Sequence, residues 1–172
     1  MAIIIDTNCF ANVFSKSSDK HLEFKPVLDW VLYGKGFLIY GGTKYKKELQ
    51  KSYKYLKIIR LLREVGKVHL GNDDNIDRLE KEIEKDNSSK LFNDIHLLAV
   101  CIDTKCILVC SEDITSIPFI TDPKYFEKGV KKPTFYTSKR NKNILCDKYI
   151  SDCHKPLSKI NKDLALKLEK NL

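Results

Sequence analysis

Four carboxylates in this chain stand where they could act together: Asp6, Glu48, Asp94 and Asp113. Asp6 directly follows Ile3-Ile4-Ile5, and Asp113 comes shortly after the apolar run Ile107–Cys110. Both runs read as buried strands, and sites in open α/β sheets form beyond the carboxyl ends of strands. Asp94 falls in the first turn of a helix expected over Asn93–Ile102, and Glu48 falls in a helical stretch after a second strand. Both can therefore reach the same edge. Carboxylates gathered out of water repel one another and tend to protonate. A divalent cation removes that penalty, and Mg²⁺ takes oxygen ligands while keeping several waters. A second ion about 3.5–4 Å away can clamp the attacking and leaving oxygens of a phosphodiester. The chemistry four such acids suit is thus hydrolysis by activated water, with no nucleophilic side chain. Each acid also has a plainer reading: Asp6 as a helix cap, Asp94 as an answer to a helix dipole, Glu48 as a solvated salt-bridge partner, Asp113 as a turn residue.

The elements that must position these groups follow from hydrophobic spacing. Ala2–Ile5 reads as a strand buried on both faces, Leu22–Tyr33 as a helix ended by Gly34 and Gly36, and Phe37–Tyr40 as a second strand. Gly41-Gly42-Thr43 reads as a turn with Thr43 as N-cap. Lys44–Val65 is helical with a break near Ser52, Lys67–Leu70 is a short strand, and Asp73 or Asp74 caps a helix running to about Asp86. Asn87-Ser88-Ser89 breaks the pattern before the Asn93–Ile102 helix, and Cys106–Cys110 is a further strand. Strands alternating with helices predict an α/β fold, three layers deep, with a mostly parallel central sheet. Beyond Pro118 the pattern weakens until Leu157–Leu172, which again looks helical. The expected organisation is one domain over residues 1–118 and a basic extension over 119–172, packed on the domain or flanking it.

The net charge of +8 points to a polyanionic partner. Residues 124–172 carry thirteen Lys and Arg against five Asp and Glu, which accounts for the whole excess. A second basic run, Lys44–Lys67, holds nine positive residues against Glu48 and Glu64. Lys131, Lys132, Lys139, Arg140 and Lys142 interleave with Phe135, Tyr136 and Tyr149. Lysines bind phosphates and aromatics stack on unpaired bases, so Lys44, Lys47, Lys131, Lys132, Lys139 and Arg140 are candidate nucleic-acid contacts. The alternatives are that Phe135 and Tyr136 pack on the core, or that Leu157–Leu172 docks a protein partner.

The start of the chain lacks the basic and long apolar regions of a signal peptide, and no apolar run is long enough to span a membrane. Six cysteines without a paired C-x-x-C read as reduced thiols of a cytoplasmic chain, with Cys101, Cys106 and Cys110 in the core. Cys146, Cys153 and His154 form a weak zinc pattern. His96, two residues after Asp94, should point away from that acid and serve packing or surface, or touch a substrate phosphate.

Four segments together resemble the PIN-domain family of metal-dependent nucleases: Ile3-Ile4-Ile5-Asp6-Thr7-Asn8, Thr43-Lys44-Tyr45-Lys46-Lys47-Glu48-Leu49, Asn93-Asp94-Ile95-His96-Leu97-Leu98-Ala99 and Leu108-Val109-Cys110-Ser111-Glu112-Asp113. The resemblance covers residues 1–118. It implies that Asp6, Asp94 and Asp113 ligate Mg²⁺ or Mn²⁺, that Glu48 completes the acidic pocket, and that Asn8 and Ser111 orient the acids. It further implies cleavage of single-stranded or structured RNA to leave a 5′-phosphate and a 3′-hydroxyl, and often homodimers. Family members act as toxins paired with antitoxins, in defence or in RNA maturation. The chain departs from the family in its patternless segment between Phe10 and Phe24, in Glu112 beside Asp113, and in its longer tail.

Two other readings compete. A PIN-like fold could bind RNA or a partner without cutting. A phosphatase using Asp6 as nucleophile would need Asp-x-Asp, and position 8 is Asn8.

Overall fold

The computed structural model describes residues 2–87, 92–146 and 159–171. Ser88, Ser89, Tyr149, Cys153 and His154 lie outside the described residues, as do the first two positions of the helix expected over Leu157–Leu172.

Five strands form one sheet in the order β3-β2-β1-β4-β5, and every pairing is parallel. β1 (Ala2–Ile5) is central and buried throughout, as an unbroken apolar run must be when helices cover both faces. β2 (Phe37–Tyr40) and β3 (Val68–Leu70) lie to one side of it. β4 (Leu108–Cys110) and β5 (Thr134–Tyr136) lie to the other. Parallel crossovers are right-handed, so connections running toward β3 cover one face and those running toward β5 cover the other.

The first face carries α1 (Phe10–Phe14), α2 (His21–Leu32), α3 (Thr43–Gln50) and α4 (Tyr53–Glu64). The second carries α5 (Asp73–Asp86), α6 (Ile95–Thr104) and α7 (Ile117–Ile120). The result is a three-layer α/β/α arrangement. α8 (Lys162–Asn171) returns to α2, burying Ala165 and Leu168, and Tyr33 donates a hydrogen bond to Glu169. Among the described residues no helix is long and apolar enough to cross a membrane, and the described cysteines are free thiols.

Several helix starts differ from expectation. Thr43 is the first residue of α3 and Gly42 holds the cap position. Asn72, whose side chain accepts from the Asn75 amide at 3.0 Å, caps α5 in place of Asp73 or Asp74. Asp73 has other work: it accepts from the Gly42 amide (2.9 Å), and Asp77, one turn on, accepts from the Thr43 amide (2.7 Å), tying α5 to the start of α3. α6 starts two residues later than expected, so Asp94 holds its N-cap position, just before the first turn, and makes no capping bond there.

The sheet also continues past the boundary expected at residue 118. β5 comes from the basic segment and pairs with β4 through Cys110 and Tyr136. Tyr136 is fully buried and donates to the Glu23 carbonyl at 2.7 Å, and Phe135 is also buried. These aromatics therefore belong to the core and are not available to stack on bases. A short 3₁₀ helix, Lys139–Ile144, follows β5 and packs on α2.

Gly42 adopts a φ of +81°, and a Cβ added there would come within 2.6 Å of Ile76 Cγ2. Gly42→Ala should therefore destabilise the fold by about 1–3 kcal/mol, through left-handed strain and displacement of α5. A fall in the urea midpoint at unchanged slope would show it; an unchanged midpoint would mean that the turn tolerates a side chain.

Candidate active site

The strand order reverses between β1 and β4, and sites in open α/β sheets form at such a point, beyond the carboxyl ends of the strands. Asp6 leaves β1 there, with its amide bonded to the Cys110 carbonyl at 2.9 Å. Its side chain is 4 % exposed and both oxygens are held: Oδ2 accepts from Ser111 Oγ (2.8 Å) and Oδ1 from the Asn8 amide (3.3 Å). Burial raises its pKa, Ser111 and Asn8 oppose that, and the charge of Glu48 adds to it. Ser111 is fully buried, and its hydroxyl also accepts from the Asp113 amide at 3.0 Å. One hydroxyl thereby links two acids that meet only in the folded chain.

Asp113 is held below the usual carboxylate range, chiefly by Thr115, and a hydrogen bond from Asp94 also favours its charged form. Glu112, the neighbouring acid, is engaged elsewhere in an ion pair with Lys20 at 2.8 Å. Asp94 has the opposite fate. Burial first, then the charges of Asp6, Asp113 and Glu48, push its carboxyl up to about 6, with Lys44 opposing. Lys44 reaches the Asn93 carbonyl (3.0 Å) and Glu80 (3.5 Å), which holds a positive charge beside Asp94.

Glu48 arrives from α3. Tyr45, one turn earlier, is fully buried and anchors that helix by donating to the Ile5 carbonyl at the end of β1. Thr7 Oγ1 donates to Glu48 Oε2 at 2.7 Å. His96 is 2 % exposed, with Nε2 3.6 Å from the same oxygen. Burial pushes its pKa down to about 4. The expectation of a packing role is met in part, because the ring is buried; what it faces is Glu48. Thr7 and Tyr45 were not singled out in the sequence. Thr7 had a usable signal, a hydroxyl directly beside Asp6.

The four expected acids thus come together at one edge, with Asn8 and Ser111 on Asp6. The basic candidates divide. Lys44 belongs to the acid cluster, and Lys47 is exposed on α3, the helix that carries Glu48. Lys139 and Arg140 follow the carboxyl end of β5, and so lie on the same sheet edge as the acids. Lys131 and Lys132 precede β5 at the opposite edge. Lys131 there lines a cavity of about 420 Å³ with Lys105, Tyr125 and Phe126.

Among the described residues no three His, Cys, Asp or Glu side chains already form a metal cage. The donor chemistry nevertheless fits a hard divalent cation: the available ligands are carboxylate oxygens, and their mutual repulsion is what a cation would relieve. A pH dependence follows. Asp94 in the folded chain keeps its proton up to about pH 6, whereas the unfolded chain releases it near 3.8. The metal-free protein should therefore lose stability as pH rises from about 4 to about 6. Because Asp94 is partly exposed and water screens it, the loss should be about 1 kcal/mol. Thermal unfolding at pH 4.5 and 6.5 in chelator should show the loss in the parent and not in Asp94→Asn; equal slopes would mean that the carboxylates do not feel one another. Compared with protein-family models, curated proteins and solved structures, the chain matches none.

Proposed function

We propose that this chain is a cytoplasmic, divalent-cation-dependent ribonuclease with a PIN-like fold. The observation that carries the reading is the convergence of Asp6, Glu48, Asp94 and Asp113 from four separate segments, at the sheet edge where strand order reverses, with Asp94 raised first by burial and then by the charges of the other three. Asp6, Asp94 and Asp113 would hold Mg²⁺ or Mn²⁺. Bound there, such a cation supplies a water of lowered pKa and offsets charge on the phosphodiester.

The chain's own groups do the rest. Ser111 and Asn8 fix the two oxygens of Asp6, and Thr7 fixes Glu48. Glu48 completes the pocket and takes the proton that water gives up. Water's oxygen would bond to phosphorus as the bond to the 3′-oxygen breaks, and the departing oxygen would take up a proton from solvent, leaving a 5′-phosphate and a 3′-hydroxyl. Lys44, Lys47, Lys139 and Arg140 receive the flanking phosphates. The toxin, defence and RNA-maturation roles share this chemistry, and an antitoxin or a second copy of the chain would be the protein partner in the first.

The test is cleavage of 5′-labelled RNA with Mg²⁺ or Mn²⁺ and its loss in chelator. A protein that binds RNA but never turns it over with either metal would instead support the second reading, a binding module, which the charge of +8 motivates. Under either reading, Lys139→Ala/Arg140→Ala should weaken RNA binding and lower the slope of log affinity against log salt by about 1–2. Lys131→Ala/Lys132→Ala, at the far edge, should change affinity less than about twofold. Equal effects from the two pairs in a salt titration would show that RNA does not track the acidic edge.

A further inference from the structure

His96 is the second residue of α6 and only 2 % exposed, and among the described residues neither ring nitrogen has a hydrogen-bond partner. Burying two unsatisfied polar atoms is unfavourable, and a leucine of similar size would avoid it. Packing alone therefore does not explain a histidine here. The neighbour that does is Glu48, whose Oε2 lies 3.6 Å from Nε2, just beyond hydrogen-bond reach. Thr7 Oγ1 already donates to that same Oε2 at 2.7 Å. One donor thus holds this oxygen of Glu48, and the ring nitrogen nearest to it stands within half an ångström of hydrogen-bond range.

We propose that His96 is a positioning residue for Glu48: with its hydrogen on Nε2, it closes onto Oε2 when a divalent cation loads the site, and together with Thr7 it presents Oε1 to the pocket. The inference rests on the metal-site reading above. It goes further by assigning a task to a residue outside the acid set. An imidazole suits that task better than a lysine, because a neutral donor can orient a carboxylate without cancelling the charge that attracts the cation.

Mn²⁺ binding to the full-length protein, followed by electron paramagnetic resonance, tests this without reference to activity. His96→Leu keeps the bulk and removes the donor, and should bind Mn²⁺ about tenfold more weakly than the parent. His96→Gln restores an N–H and should stay within about threefold. In Mg²⁺, nitrogen-15 NMR should show the His96 ring with its hydrogen on Nε2, protected from exchange, a signal missing in the metal-free protein and in both variants. A parent that binds no Mn²⁺ overturns the metal site and this inference together. A parent that binds, with His96→Leu binding equally well or His96→Gln binding as weakly as His96→Leu, overturns the inference alone. So does a ring signal unchanged by Mg²⁺, a readout that holds even if His96→Leu fails to fold.

Discussion

Asp6→Asn protein should cleave RNA about a hundred- to a thousandfold more slowly than the parent while remaining fully folded. The size is that of removing one fixed charge-stabilising group from an active site. Asp6 is the acid most tightly built into the structure: it ends the central strand, it is almost fully buried, and separate donors hold its two oxygens. Asparagine keeps the shape and can still accept from Ser111, so the fold should survive. What is lost is the negative charge, and with it the attraction for a divalent cation. The same change should raise stability slightly, because burial and Glu48 both disfavour the charged form of Asp6. Cleavage rates on labelled RNA, with circular dichroism as the control for folding, decide the matter. A folded Asp6→Asn protein that cuts as fast as the parent removes the carboxylates from the chemistry.

Tyr136→Ala should destabilise the chain by about 3–5 kcal/mol, a large share of the roughly 5–15 kcal/mol that holds a domain together. Tyr136 is fully buried on β5, its ring meets Phe24 edge-on at 5.8 Å, and its hydroxyl donates to the Glu23 carbonyl. Alanine would leave a cavity between the sheet and α2 and strand that carbonyl. For the same reason a chain ended at residue 118 should not fold, since β4 would lose its outer partner and its Cys110–Tyr136 pairing. Urea unfolding measures the first effect. A cooperative transition in the shortened chain would show that the basic segment is an appendage after all.

The inner strands were legible in the sequence because Ile3-Ile4-Ile5, Phe37–Tyr40 and the run ending at Cys110 are apolar without interruption, as strands covered on both faces must be. Asp6 and Asp113 were legible because each follows such a strand and Asp94 because it precedes an apolar helix, whereas Glu48, inside a lysine-rich helix, was legible only beside the other three. β5 was not: Thr134-Phe135-Tyr136 is only three residues long and sits between Pro133 and a series of lysines, so charge hid the strand. That short strand also separates Lys131 and Lys132 from Lys139 and Arg140, placing neighbours in sequence at opposite ends of the sheet. The neighbour of His96 was not legible for another reason. Helical spacing does turn it away from Asp94, but α6 is buried around most of its circumference, and α3 packs against it. Away from Asp94 is therefore toward Glu48, and nothing in a single helix's period shows that.

The bond between Ser111 and Asp6 joins positions 105 residues apart, and the β1–β4 pairing beneath it spans the same distance. Contacts of such long range form late and slowly. During synthesis the first half of this chain leaves the ribosome with Asp6 in place but without the residues that complete its surroundings. The acid set would then be complete only once Asp113 and the β5 strand that pairs beside it had been made. If the chain is the ribonuclease proposed above, that delay would protect the message and the ribosome producing it.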